Sequence, residues 1–246
     1  MTLTVQFLGS GDAFGSGGRF QACIHLRTAS AGVLLDCGAS SLIAMKRFGV
    51  APNDIDAILI SHVHGDHFGG IPFFILDAQF LSKREKPLLI AGPPGVEGRV
   101  QAAQEALFAN SSKTVQKFEI RFAEWQDRVP SEFADMRLTP FEVVHGSGAP
   151  PFALRLEAEG RTIAYSGDTE WTPALIEVSR DADLFICEAN FFEKAMKFHL
   201  DYRTLIGHRA ELSCKRLILT HMNSEMIERA STLEVETAED GMVLEV

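Results

Sequence analysis

The stretch Ala57-Ile58-Leu59-Ile60-Ser61-His62-Val63-His64-Gly65-Asp66-His67 decides how this chain is read. Its first four residues form a short apolar run that reads as a buried strand. Ligand-type side chains begin where that run ends. Side chains of an extended segment repeat every two residues, so His62 and His64 point the same way. The loop that follows turns Asp66 and His67 toward a second point, a geometry that suits two metal ions better than one. Imidazole matches zinc and other first-row metals, and a carboxylate completes such a site. Gly65, Gly69 and Gly70 supply the backbone freedom the loop needs. A polar surface loop would account for one of these histidines, but not for three with an aspartate at this spacing.

Three more ligand-type residues stand just past apolar, β-rich runs, where sheet proteins gather their functional groups. His145 follows Phe141-Glu142-Val143-Val144, Asp168 follows Ile163-Ala164-Tyr165-Ser166-Gly167, and His221 follows Leu217-Ile218-Leu219-Thr220. With His62, His64, Asp66 and His67 they provide the donors that a bridged dinuclear site requires.

Around these anchors the pattern is strands, then helices, repeated twice. Strands are expected over 2–8, 22–26, 33–36, 57–60 and 87–90, and helices over 40–48, 71–81 and 96–108. The middle reads as strands over 118–122, 137–144, 152–156 and 162–165. A helix is then expected near 173–178, a strand over 183–187, a helix near 202–212, a strand over 216–219 and a last helix over 224–230. The glycine-rich stretch from Gly9 to Gly18 has no helix behind it and reads as a loop at the rim of a site rather than a phosphate cradle. Two mixed sheets packed face to face, each covered outside by helices, satisfy this order. No linker or repeat interrupts it, so residues 1–246 are expected to form one domain.

Composition bounds the function. The chain has 246 residues, 46% hydrophobic and 23% charged, and a formal net charge of -10. That is ordinary for a globular protein with a full core. The acidic balance lacks the basic footprint of a nucleic-acid binder and argues against a long RNA or DNA substrate. Cys23, Cys37, Cys187 and Cys214 are widely spaced with no C-x-x-C pair, which fits a reducing cytosol. No signal peptide or membrane span is expected, so the predicted location is cytoplasmic.

The motif resembles the H-x-H-x-D-H signature of the metallo-β-lactamase superfamily. The resemblance runs essentially end to end, through Leu34-Leu35-Asp36-Cys37-Gly38, His62 to His67, His145, Ser166-Gly167-Asp168-Thr169 and Leu219-Thr220-His221. It implies an α/β (α+β) fold, the four-layer αββα sandwich of two mixed β-sheets. It also implies that His62, His64 and His145 bind one metal, that Asp66, His67 and His221 bind a second, and that Asp168 bridges them. Two divalent ions are expected, Zn2+ in first place, with Mn2+ or Fe compatible with the same ligands.

Further details resemble the branch of ribonuclease Z and related phosphodiesterases: Phe7-Leu8-Gly9-Ser10-Gly11, Ala91-Gly92-Pro93-Pro94-Gly95, and the run from Arg161 to Thr169. His199 sits where that branch carries a histidine upstream of its last ligand. Two departures stand out. The branch's H-E-A-T motif is here Cys187-Glu188-Ala189-Asn190, and residues 111–144 leave no room for the long basic arm that grips transfer RNA. Glyoxalase-II-like thioesterases carry an extra C-terminal helical region, whereas 25 residues follow His221 in this sequence, and His64 argues against flavodiiron proteins.

The expected activity is therefore that of a metal-dependent hydrolase, a phosphodiesterase acting on a small or cyclic phosphodiester. A lactonase or other carboxyl-ester or thioester hydrolase is the alternative. A transfer-RNA 3′-end endonuclease and a non-catalytic metal-binding module rank lower. Asp66 is expected to orient the attacking water or take its proton, and His199 to protonate the leaving group or hold the developing negative charge. Asp36 and Glu188 are expected to support ligands rather than bind metal. Phe68, Phe73, Phe74, Phe191 and Phe192 are candidates for a pocket wall or plain core. The resemblance also implies a homodimer.

Overall fold

In the computed structural model, which describes residues 3–246, the apolar run ahead of the histidines is strand β4, Ala57–Leu59, buried on both faces. It belongs to the first of two seven-stranded sheets. That sheet also holds β1 (Thr4–Gly9), β2 (Cys23–Arg27), β3 (Gly32–Leu35), β5 (Leu88–Gly92) and β6 (Ile120–Glu124). The second sheet comprises β7 (Ser131–Phe133), β8 (Met136–Glu142), β9 (Phe152–Ala158), β10 (Arg161–Tyr165), β11 (Leu184–Glu188), β12 (Arg216–Thr220) and β13 (Glu236–Thr237). β14 (Val243–Glu245) returns to the edge of the first sheet beside β1, so the strand orders are β14-β1-β2-β3-β4-β5-β6 and β13-β12-β11-β10-β9-β8-β7. Both sheets are mixed: β3 to β6 and β10 to β13 run parallel, and the remaining neighbours are antiparallel.

Alternation along the strands builds the layers. One face of each sheet meets the other in a shared core that includes Val5, Phe7, Leu26 and Leu35 opposite Leu154, Leu156, Ile163 and Ile186. The opposite face of the first sheet packs under α1 (Ser41–Arg47), α3 (Ile71–Leu76) and α4 (Val96–Leu107). The outer face of the second packs under α5 (Ala174–Val178), α6 (Tyr202–Gly207) and α7 (Ser224–Arg229). This is the expected αββα sandwich. The parallel strands are covered on both sides, which is why β3, β4 and β11 read as continuous apolar runs rather than alternating ones.

Several boundaries differ from the sequence reading. The helix expected over 71–81 is α-helical to Leu76 and continues as a π-helical turn over Asp77–Leu81. The helix expected over 202–212 ends at Gly207 and resumes as a 3-10 turn over Arg209–Glu211. β7, β13 and β14 were not anticipated. Each is two or three residues long, too short for periodicity to register, and exists because a partner strand supplies its ladder. The first strand, expected from Thr2, is described from Thr4; Thr2 itself lies outside the described residues.

The connections that carry the candidate ligands all leave one edge of the sandwich. β8 and β10 are both antiparallel to β9, so they run the same way and end together, next to the ends of β11 and β12. The ends of β3 and β4 face them from the other sheet. Two glycines let the Asp36-Cys37-Gly38 turn press on the metal-loop segment. A Cβ on Gly38 would lie 2.2 Å from the Asp66 carbonyl, and one on Gly70 would lie 2.2 Å from the Gly38 carbonyl. Through that contact Cys37 N–H donates to the His67 carbonyl (2.6 Å) and Gly70 N–H to the Cys37 carbonyl (2.8 Å).

Candidate metal centre

His62 and His64 leave the end of β4 on extended backbone. The chain then closes into a one-turn helix, α2 (Gly65–Phe68), not the open loop expected. This turn carries Asp66 and His67 away from His64. His145, Asp168 and His221 follow β8, β10 and β12 as anticipated. His221 and Asp36 adopt left-handed backbone, with φ of 56° and 60°, which swings each side chain out of its strand direction into the cleft between the sheets.

The seven predicted ligand residues come together in two groups. One ring nitrogen each of His62, His64 and His145 lie within 4.8 Å of one another, as do single donor atoms of Asp66, His67, Asp168 and His221. Asp168 stands between the groups. Its Oδ1 is 3.3 Å from His67 Nε2, and its Oδ2 is 3.5 Å from His221 Nε2 and 3.8 Å from His62 Nε2. Asp66 Oδ2 is 3.3 Å from His221 Nε2 and 3.4 Å from His67 Nε2.

The surrounding bonds orient these groups with their metal-competent atoms inward. His145 Nδ1 donates to the Phe198 carbonyl (2.7 Å) and His67 Nδ1 to Asp36 Oδ2 (2.7 Å), which turns each Nε2 into the cluster, where His145 Nε2 lies 3.0 Å from His64 Nδ1 and His67 Nε2 lies 3.4 Å from His221 Nε2. His62 Nε2 and Asp168 Oδ1 are buried with no hydrogen-bond partner. Buried polar atoms are almost always satisfied, so this pair is what a cation-binding cluster would present. The donor set, imidazoles with carboxylates, matches divalent first-row metals.

Protonation follows the same geometry. Burial and the nearby His67 push His62 well below the ordinary imidazole value, and burial likewise lowers His145. His67 and His221 are buried too, but the adjacent carboxylates, Asp168 first, overcome that and raise both. Burial would raise Asp168 and Asp66. The histidines around them reverse this and hold both carboxyls below their usual range.

Asp36 and Glu188 both act as hydrogen-bond acceptors beneath the cluster. Asp36 accepts from His67 and from the backbone N–H of Ser61 (2.7 Å). Glu188, at the end of β11, accepts from Thr169 N–H and from His199 Nδ1 (3.1 Å). Burial and the charge of Asp168 push Glu188 up to about 7. Burial alone would lower His199, but its hydrogen bond to Glu188 and the neighbouring carboxylates raise it to about 9. His199 sits in the turn before α6, whose N-cap is Asp201.

Cys187, which replaces the branch's histidine, points to the outer face of the second sheet and packs among Phe185, Leu205 and Leu219. All four cysteines are buried and unpaired.

A cavity of about 240 Å3 opens onto the cluster, with His64, Asp66, Asp168, His199 and His221 below and Phe14, Phe191 and Met196 at its mouth. Of the phenylalanines singled out beforehand, Phe191 lines this cavity, Phe73 lines a neighbouring cleft, Phe74 is core, and Phe68 and Phe192 pack partly buried against the core. Phe14, 91% exposed, was missed because the glycine-rich stretch reads only as loop. So was Asn190, whose amide donates to the His221 carbonyl (2.9 Å). Tyr165 and Phe198, which bond to Asp36 and His145, read in sequence as ordinary apolar residues.

An αββα sandwich with two adjacent clusters of imidazole and carboxylate donors at its open edge is that of a metal-dependent hydrolase of the metallo-β-lactamase superfamily. A family model described as anti-Pycsar protein Apyc1 matches residues 3–243, and the chain belongs to that family. It is 25% identical to a ribonuclease Z of Methanosarcina acetivorans, over 99% of this chain and 98% of that protein. That alignment spans 300 positions, so the relative carries segments with no counterpart in these 246 residues. Human tRNase Z, short form, superposes with a TM-score of 0.78 at 24% identity, covering 98% of each chain. A diphosphatase of the PhnP family superposes with a TM-score of 0.78 at 19% identity, covering 99% of this chain and 98% of that one. The ribonuclease Z and phosphodiesterase-like branch is thus the right part of the superfamily.

Proposed function

We propose that this protein is a phosphodiesterase with a two-zinc centre, acting on a small or cyclic phosphodiester. The observation that carries the reading is Asp168, a buried carboxylate shared between two groups of ligand atoms. His62, His64 and His145 would hold one ion, Asp66, His67 and His221 the other, with Asp168 common to both. When bound, two such ions supply Lewis acidity and lower the pKa of water toward neutrality. Asp66 faces the cavity from α2 and is held ionised by His67 and His221, so its carboxylate can orient the attacking water. His199 lines the same cavity with Nδ1 committed to Glu188, which leaves Nε2 to deliver a proton to the departing oxygen. Its bond to Glu188 and the charges of Glu188 and Asp168 raise that imidazole above its ordinary value, which favours the protonated form.

The size of the cavity, the net charge of -10 and the short path from α4 to His145 support a small substrate over a polynucleotide. That path holds only a 3-10 turn and β6 to β8, with no arm among the described residues. Transfer-RNA processing is the second reading, favoured by the ribonuclease Z relatives that align along the whole chain.

The deciding experiment measures metal identity and stoichiometry, then turnover of cyclic nucleotides, bis(p-nitrophenyl) phosphate, precursor transfer RNA, lactones and thioesters by the same preparation. Efficient cleavage of a small phosphodiester is expected. Lactone turnover without phosphodiester cleavage, or 3′-end cleavage of precursor RNA alone, would replace the proposal.

A further inference from the structure

Asp36 carries no chemistry of its own, yet it is the most heavily bonded carboxylate beneath the cluster. Its Oδ1 accepts from Ser61 N–H (2.7 Å), and its Oδ2 from Ser61 Oγ (2.8 Å), His67 Nδ1 (2.7 Å) and Tyr165 Oη (2.8 Å). Asp36 and His67 are fully buried, and Tyr165 nearly so. Of these donors, Ser61 and His67 come from the connection after β4 in the first sheet. Tyr165 is the last residue of β10 in the second sheet, three positions before Asp168. Its hydroxyl therefore crosses the sandwich beneath the metal centre. It ties the strand end that sets Asp168 to the carboxylate that aims His67.

We infer that Tyr165 is a positioning residue for the second metal subsite, a strut that fixes the spacing between His67 on one sheet and Asp168 on the other. The inference rests on the ligand assignment proposed above. Asp36 is sealed from solvent, so no water can replace the lost donor, and the carboxylate that aims His67 would then be held by first-sheet donors alone, with no tie to the strand that carries Asp168. The Ser61 hydroxyl bonds the same carboxylate but lies entirely within the first sheet. It also approaches His62 Nδ1 at 3.1 Å, which ties it to the other subsite. The two side chains thus act on different halves of the centre although they share an acceptor.

The test is a competitive titration of the full-length apoprotein with Zn2+ against a chromophoric chelator, resolving two dissociation constants. Wild type, Tyr165→Phe and Ser61→Ala are compared, with circular dichroism and melting of each metal-free protein as a check of folding. Partners that orient metal ligands commonly account for 10- to 100-fold in affinity, so Tyr165→Phe is expected to weaken the second ion by about that factor. The first ion should change less than about threefold, and Ser61→Ala should show the reverse preference. Equal weakening of both ions in Tyr165→Phe, or no weakening of either, overturns the strut. A wild-type protein that binds a single ion overturns the ligand assignment and the inference with it.

Discussion

Replacing Glu188 by glutamine isolates one electrostatic effect. The substitution keeps the shape of the side chain and an acceptor for Thr169 N–H but removes the charge that faces His199. His199 sits at about 9 because its bond to Glu188 and the surrounding carboxylates outweigh burial. Without the Glu188 charge its value should fall to the ordinary imidazole pKa of about 6.5 or below. The acid form is the active one, so activity is lost as pH rises through that pKa. At pH 8 the wild-type imidazole is about nine-tenths protonated and the variant's only a few per cent, so kcat should drop by ~30-fold. At pH 6 both forms are largely protonated and the deficit should shrink to less than about twofold. The assay is a pH–rate profile on a phosphodiester with an alkoxide leaving group, which needs the proton. Metal content is measured alongside. A uniform loss across pH, or an alkaline limb that stays near 9, would refute the assignment of His199 as the proton donor supported by Glu188.

Removing the imidazole outright, in His199→Ala, should lower kcat by about 100-fold or more on alkyl phosphodiesters and far less on p-nitrophenyl esters, with both metals retained. Loss of metal, or equal losses on the two substrates, would count against that role. Asp168→Ala should abolish paired binding, leaving at most one ion by elemental analysis, and a variant that still holds two would show that Asp168 does not bridge. Metal affinity itself should climb with pH. His67 and His221 are raised above the ordinary imidazole value and must shed protons to coordinate, so protons compete with the metal on the acid side. Calorimetry in buffers of different ionisation enthalpy should detect proton release on zinc binding near neutral pH, and its absence would contradict the predicted protonation of that pair.

Most of the candidate metal centre could be read from the linear chain. His62 to His67 are contiguous and follow an apolar run, and His145, Asp168 and His221 each end a β-rich run. Chain-local signals of that kind survive without any three-dimensional information. The layered architecture was equally legible, because burial on both faces turns β3, β4 and β11 into unbroken apolar runs while the helices keep their own period. Even the cysteine at 187 is explained by alternation along β11: position 187 faces the outer core, so a small apolar residue satisfies it and the site is untouched.

What folding alone decided are the relationships between residues far apart in sequence. Nothing local marks Tyr165 as different from any strand tyrosine, yet its hydroxyl reaches Asp36 across 129 positions. The same is true of Asn190, which holds His221, and of Phe198, whose carbonyl aims His145. Pattern rules carry information about one strand or one helix at a time. The distances that make Asp168 common to both ligand groups exist only once the two sheets are packed and their strand ends brought to one edge. Coordination and proton transfer depend on separations of a few ångströms, so the choice of candidate ligands belongs to the sequence and the geometry that joins them belongs to the packed sandwich.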